Sequence, residues 1–325
     1  MTGVLAMTVS GYEIWRSFFS PEVSLFVKIA APVFAASLIA YLAAVAARAD
    51  GVRAAGAVLL ALGLGLVTAS VVERWVEVGN APLRTMYETF IVTTGTIALM
   101  ALVYDLAMGA RVVTALGLVA LVLCLGMAFA IEDKESLPVM PILQSPWFFP
   151  HVTAYLLGYA SLTIAGVVGM AYLALPWVRF TTPRGREVTL ADYAHSLVKV
   201  GFVLLTAGLL MGSVWGKAAW GDYWGWDPKE GWSLVTWLIY IAYFHVARRP
   251  AWRGTIATGF NVAGAVAVWI TFLGTSYLPS ASESIHVYAG TGSQAFLITI
   301  AIVSLVAAYV IGVPLIHRLR RTLEE

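Results

Sequence analysis

The chain has 325 residues, of which 60% are hydrophobic and only 12% charged, with a formal net charge of +2 and a mean hydropathy of +0.83. Soluble domains carry about 25% charged residues. The composition therefore excludes a water-soluble enzyme and a disordered chain, and the near-neutral balance leaves no basic footprint for nucleic acid. A single cysteine, Cys124, excludes a disulfide scaffold, a thiolate metal cluster and any CxxCH motif on the chain itself.

A bilayer core about 30 Å thick needs about 20 largely apolar helical residues to cross it. Taken in chain order, nine stretches qualify: 24–47, 54–73, 87–108, 112–131, 151–176, 196–215, 229–247, 254–275 and 293–316. Backbone hydrogen bonds must be satisfied within lipid, so these are helices, and no period-2 alternation argues for a barrel. The expected fold class is an all-α polytopic transmembrane bundle of about nine spans. No internal repeat, low-complexity tract or Gly/Ser linker divides it, so residues 1–325 read as one integral membrane domain. The opening MTGVLAMTVSGYEIW has no basic n-region and is not expected to be a cleaved signal.

Basic residues in short loops set the direction. One side of the nine-span scheme holds seven: Arg16, Lys28, Arg74, Arg84, Lys134, Lys217 and Lys229. The other holds thirteen, among them Arg48, Arg53, Arg111, Lys199, Arg253 and the Arg318–Arg321 tail. This partition puts the N-terminus outside and the C-terminus in the cytoplasm.

The outer connection between spans 6 and 7, about 213–232, is exceptional. Trp215, Trp220, Trp224, Trp226, Trp232 and Trp237 put six of the twelve tryptophans within 23 residues. An aromatic belt at headgroup level accounts for one or two per helix end, not for this density. The cluster is better explained as a flat π-rich platform for a large planar ligand. At its end, Asp227-Pro228-Lys229-Glu230 has the pattern of N-cap, N1, N2 and N3 of the next span. Asp227 and Glu230 are thus expected to start a helix rather than act as catalytic acids.

Five histidines differ in position. His151, at the start of span 5, and His286, between spans 8 and 9, both fall on the outer side with the tryptophans. Two neutral imidazoles on opposite faces of a porphyrin can supply both axial bonds to its iron. His245 lies deep in span 7, where an ionisable group is a functional candidate, and it has no intramembrane histidine partner in this chain. His195 and His317 are expected at the cytoplasmic interface.

The run from Trp220 to Trp237, WGDYWGWDPKEGWSLVTW, resembles the "WWD" signature of haem-handling membrane proteins in cytochrome c assembly. Gly212-Ser-Val-Trp215-Gly upstream and Tyr243-Phe-His245 downstream extend the likeness. Leu143-Gln-Ser-Pro-Trp-Phe-Phe-Pro-His151-Val is similar to the family's first outer histidine motif, and Pro82-Leu-Arg-Thr-Met-Tyr87-Glu88 to a PLSNLYES-like stretch of the CcsA (ResC) branch. Two departures stand out: Ile285-His286-Val287-Tyr288 replaces an LHSY-like motif, and Arg-Thr-Met replaces Ser-Asn-Leu after Pro82-Leu83.

The resemblance implies a subunit of the system II cytochrome c synthase, in the bacterial plasma membrane, working with a CcsB (ResB) partner. Haem b would be carried from the cytoplasmic side and presented to the CxxCH motif of an apocytochrome c for thioether attachment. His151 and His286 map onto the outer axial ligands. His245 maps onto a transmembrane ligand whose counterpart lies in CcsB. Trp215, Trp220, Trp224, Trp226, Asp227 and Trp232 complete the expected haem-binding set, with no catalytic residue beyond the iron ligands. The alternatives are a CcmC-like delivery protein, a haem exporter without attachment activity, and a structural subunit using tryptophan only as a belt.

Overall fold

The computed structural model describes residues 18–131, 134, 144–182, 185–274, 286, 309, 312 and 313. Among the described residues eight α-helices follow one another: α1 Leu25–Ala47, α2 Asp50–Val78, α3 Met86–Met108, α4 Arg111–Ala130, α5 Phe148–Ala174, α6 Leu190–Trp220, α7 Pro228–Ala247 and α8 Thr255–Phe272. They coincide with the first eight expected spans. The ninth, 293–316, lies outside the described residues apart from three isolated positions. Seven of the helices are long and apolar enough to cross a membrane; α7 is not among them. Its 20 residues are enough for about 30 Å, but it opens on Lys229-Glu230 and spends much of its length on Trp and Tyr. One small correction to an all-α fold is the antiparallel pair β1 Phe180–Thr181 and β2 Glu187–Val188, which closes the α5–α6 connection.

Local chemistry places the helix ends. The Ser24 hydroxyl accepts from the Phe26 N–H at the start of α1 and donates to Glu73 of α2 at 2.5 Å. Lys28 lies within α1, but its Nζ reaches back to the Ser20 carbonyl (2.8 Å), so its charge leaves the apolar stretch. Capping boxes start α3 (Thr85/Glu88), α6 (Thr189/Asp192) and α7 (Asp227/Glu230). The last of these is the cap expected from the sequence. Gly79, Gly109 and Gly221, each at positive φ, stop α2, α3 and α6.

Polar contacts gather at the two ends of the bundle. At one end Arg53 pairs with Asp105 (2.9 Å), while Arg111 meets Asp50 and the Ala44 carbonyl (both 3.1 Å). At the other, Arg74 bonds Glu88 (3.2 Å) and the Lys134 carbonyl (3.1 Å). These contacts tie the ends of α1 to α4 as an up-and-down bundle would, consistent with the alternating partition of basic residues.

The most extensive interface joins α5 and α6. Gly201, Gly208 and Gly212 share one face of α6 at helical spacing, and Gly158 meets them from α5. A Cβ on Gly158 would lie 3.0 Å from the Leu205 backbone nitrogen, and one on Gly201 2.7 Å from the Leu162 side chain. Small residues let the two backbones approach where no hydrophobic force drives association in lipid. This close crossing brings the start of α5 against the last turns of α6, the two regions that carry His151 and Trp215. Cys124 is buried beside Thr94 (3.6 Å), as inert packing.

Candidate ligand-binding site

His151, three residues into α5, turns its ring onto the backbone of α6. Its Nδ1 lies 2.9 Å from the Gly208 carbonyl oxygen. A carbonyl only accepts, so Nδ1 must carry the proton and Nε2 is the nitrogen left with a lone pair. The approach depends on Gly212: a Cβ there would stand 2.4 Å from the His151 Cε1. His286 lies against the buried Asp227 carboxylate, its Nδ1 3.1 Å from Oδ1, at ion-pair distance but outside hydrogen-bonding geometry. The His151 ring is thus oriented by an oxygen on Nδ1, and the His286 ring sits beside a carboxylate. Histidines that bind metals are oriented in this way, by a carbonyl or carboxylate on the second ring nitrogen.

Trp215 neighbours both rings. It is almost fully buried, and its ring centroid lies 5.5 Å from that of His151 and 6.1 Å from that of His286. The imidazoles can be no farther apart than those two distances laid end to end. Trp220 packs edge-on against Trp215 at 5.1 Å and approaches His286 at 5.5 Å. These four rings border a cavity of about 490 Å³, which Trp224, Arg84, Lys229 and Glu230 also line. That volume falls within the range of small-molecule and cofactor sites, about 300–1,000 Å³. Among the described residues, no group of three or more His, Cys, Asp or Glu side chains forms a metal cage. The donor set is a pair of imidazoles beside an aromatic wall.

The connection from α6 to α7 is pinned by one carboxylate. Glu230 Oε2 accepts from the N–H groups of Gly225 (2.8 Å) and Asp227 (3.2 Å). Trp226, caught between them, adopts φ 58°, a left-handed conformation that costs a non-glycine residue about 1–2 kcal/mol. Two charge-assisted hydrogen bonds offset that strain. Asp227 has two tasks: Oδ1 accepts from the Lys229 N–H (2.8 Å), capping α7, and faces His286. The cap was legible in the sequence. The second contact was not, because His286 is 59 positions farther along the chain.

The structure divides the expected site residues. His151, His286, Trp215, Trp220 and Trp224 line the cavity, and Asp227 lies behind His286. Trp226 is instead 73% exposed, in edge-to-face contact with Trp224 at 5.9 Å. Trp232, on α7, does not line the cavity. Trp237 donates from Nε1 to Thr206 (3.1 Å) and stacks on Phe202, joining α7 to α6. His245 is exposed near the far end of α7, roughly 26 Å along the helix from Pro228. His195 is close by, its Nδ1 2.8 Å from the Tyr243 hydroxyl. His317 lies outside the described residues. Sequence reasoning passed over the small α6 face (Gly208, Gly212) and left the role of Arg84 undecided. The glycine spacing of four was the available signal for the first.

Comparison with known proteins agrees with this architecture. The family described as "Cytochrome C assembly protein" matches residues 83–282, which include both cavity-lining connections up to α8. The cytochrome c biogenesis protein CcsA of Chlamydomonas reinhardtii is 33% identical over 224 residues, covering 66% of this chain and 63% of that protein. CcsA of Gloeobacter violaceus is 28% identical over 320 residues, covering 79% and 93%. Among solved structures, the chain resembles "Cytochrome c Heme Lyase CcmF" with a TM-score of 0.61 at 17% identity, over 89% of this chain and half of that one; this likeness concerns the fold alone. With a family match spanning more than half its length and CcsA proteins aligned over most of it, the chain belongs to the cytochrome c assembly protein family, in its CcsA branch.

Proposed function

We propose that this protein is a CcsA-type subunit of a system II cytochrome c synthase that presents haem b on the outer face of a bacterial plasma membrane. One observation carries the proposal. Two imidazoles border one tryptophan-walled cavity, that of His151 with Nδ1 held by the Gly208 carbonyl and that of His286 beside the Asp227 carboxylate. His151 and His286 would be the axial ligands of the haem iron. Trp215, Trp220 and Trp224 would cover the macrocycle. Bis-histidine ligation in an apolar, aromatic enclosure tunes the iron potential and limits access of water and oxidants.

Trp226, exposed at the rim, and Trp232 belong to the same segment and would meet incoming substrate or support the loop. His245, exposed on α7, would join a histidine of a CcsB (ResB) partner at a haem site within the membrane. The N-terminus outside and C-terminus in the cytoplasm, with a ninth span over 293–316, would put the tryptophan segment on the periplasmic side. Haem would enter from the cytoplasmic side. Thioether bonds would form at the outer site when the CxxCH of an apocytochrome c docks. The chain's residues would then position and shield rather than act as nucleophile or base.

The test has two stages. His151→Ala and His286→Ala in the purified protein should each lower the haem-to-protein ratio and abolish the reduced bis-histidine spectrum, with exogenous imidazole restoring part of it. Full haem content in both variants would overturn the axial assignment. Co-expression with a CcsB-type partner and an apocytochrome, in cells lacking a synthase, should yield covalent haem on the acceptor. Haem export or delivery without attachment would instead indicate a transporter or a CcmC-like protein.

A further inference from the structure

We infer that Arg84, assisted by the indole N–H of Trp224, is the anchor for the propionate edge of the haem in this cavity; the inference rests on the haem assignment above. Arg84 lies in the short Ala81–Thr85 segment before α3 and lines the cavity with His151, His286 and Trp224. Its position is rigidly set. The backbone N–H groups of Arg84 and Thr85 both donate to Glu88 Oε2 (3.2 and 3.1 Å), and the neighbouring Leu83 and Thr85 side chains are buried.

Glu88 does not compensate the Arg84 charge. Its other oxygen accepts from Arg74 Nε at 3.2 Å, so its own charge is already matched there. Among the described residues no carboxylate lies within ion-pair distance of the Arg84 guanidinium. The Arg84 Nε is nonetheless buried and, among the described residues, has no hydrogen-bond partner, and the same holds for the Trp224 Nε1. Two orphaned donors lining one cavity are costly unless something fills them, because buried polar groups lose their water without replacement. A ligand in the cavity would bring that acceptor.

A carboxylate suits the geometry. Arginine binds carboxylates in a bidentate, side-on manner that uses Nε and one terminal nitrogen, and a free Nε is the atom such binding needs. An indole N–H is a donor only and can take a further carboxylate oxygen. The histidines and tryptophans supply an iron-binding, planar, apolar environment; these two donors supply what the anionic edge of the same ligand requires. Lys229 lines the cavity as well.

The experiment compares haem with haem dimethyl ester, which keeps the iron and macrocycle and removes both carboxylates. The full-length protein is purified with its partner from haem-limited cells and titrated with each compound. Hydrogen bonds to charged groups contribute about ten- to hundredfold in affinity. The wild type should therefore prefer haem to the diester by at least about tenfold. In Arg84→Gln the preference should collapse toward unity through weaker haem binding, with diester binding unchanged. Arg84→Lys should retain part of the preference, and Trp224→Phe, which keeps a ring but removes the N–H, should lower it several-fold. A wild type that binds haem and diester equally, or an Arg84→Gln variant that discriminates like wild type, would overturn the anchor while leaving the axial histidines intact. A wild type that binds neither compound would overturn the haem assignment and the anchor together.

Discussion

Gly212→Ala isolates the geometry that aims His151. The added Cβ would lie 2.4 Å from Cε1 and 2.7 Å from Nδ1 of the imidazole, whereas non-bonded heavy atoms settle at about 3.5–4.0 Å. The ring must retreat by roughly 1 Å. A shift of that size takes the 2.9 Å bond from Nδ1 to the Gly208 carbonyl out of hydrogen-bonding range. Loss of a group orienting a metal ligand typically lowers affinity about 10–100-fold. The helix itself should gain, since alanine is favoured over glycine in a helix interior by about 0.5–1 kcal/mol. The variant is therefore expected to fold with equal or higher thermal stability while its haem-to-protein ratio falls at least about tenfold. Gly126→Ala on α4, where a Cβ meets nothing within 4 Å, is the matched control and should keep its haem. The assay is haem content and the reduced visible spectrum of the purified protein, with thermal unfolding in parallel. Undiminished haem and an unchanged spectrum in Gly212→Ala would refute the claim that the α5–α6 crossing orients His151.

Three other substitutions probe separate links. Asp227→Asn keeps a competent helix cap but removes the charge facing His286; haem retention should drop about tenfold with little change in thermal stability, and a variant that binds haem normally would dissociate the two. Asp105 is 1% exposed and paired with Arg53, so Arg53→Met should destabilise the bundle by about 3–5 kcal/mol through the uncompensated buried charge, and adding Asp105→Leu should recover most of it; thermal unfolding in detergent measures both. Glu230→Ala removes the acceptor shared by Gly225 and Asp227. It should release the loop around Trp226, seen as faster proteolysis between residues 221 and 228 and as lower haem content; unaltered proteolysis would show that other contacts hold the loop.

What the sequence determined by itself was whatever depends on neighbours along the chain. The eight described helices and the cap of α7 followed from apolar length and from Asp227/Glu230, because hydrogen bonding within a helix and desolvation in lipid are local costs. The aromatic density from Trp215 to Trp237 and the candidacy of His151 and His286 were legible for the same reason: composition alone makes them improbable as background. Which tryptophans face the cavity was not. Trp215 is buried, Trp226 points outward and Trp237 is spent on Thr206, and that sorting depends on the rotation of α6 against α5, which the glycine face sets. Tertiary packing alone brought His286 beside Asp227, placed the Gly208 carbonyl under His151, and, among the described residues, left the donors of Arg84 and Trp224 unpaired at one cavity. Such contacts bridge tens of residues, and no periodicity or local motif records them, because they arise only when two separately stable helices are brought close enough for their side chains to compete for the same space.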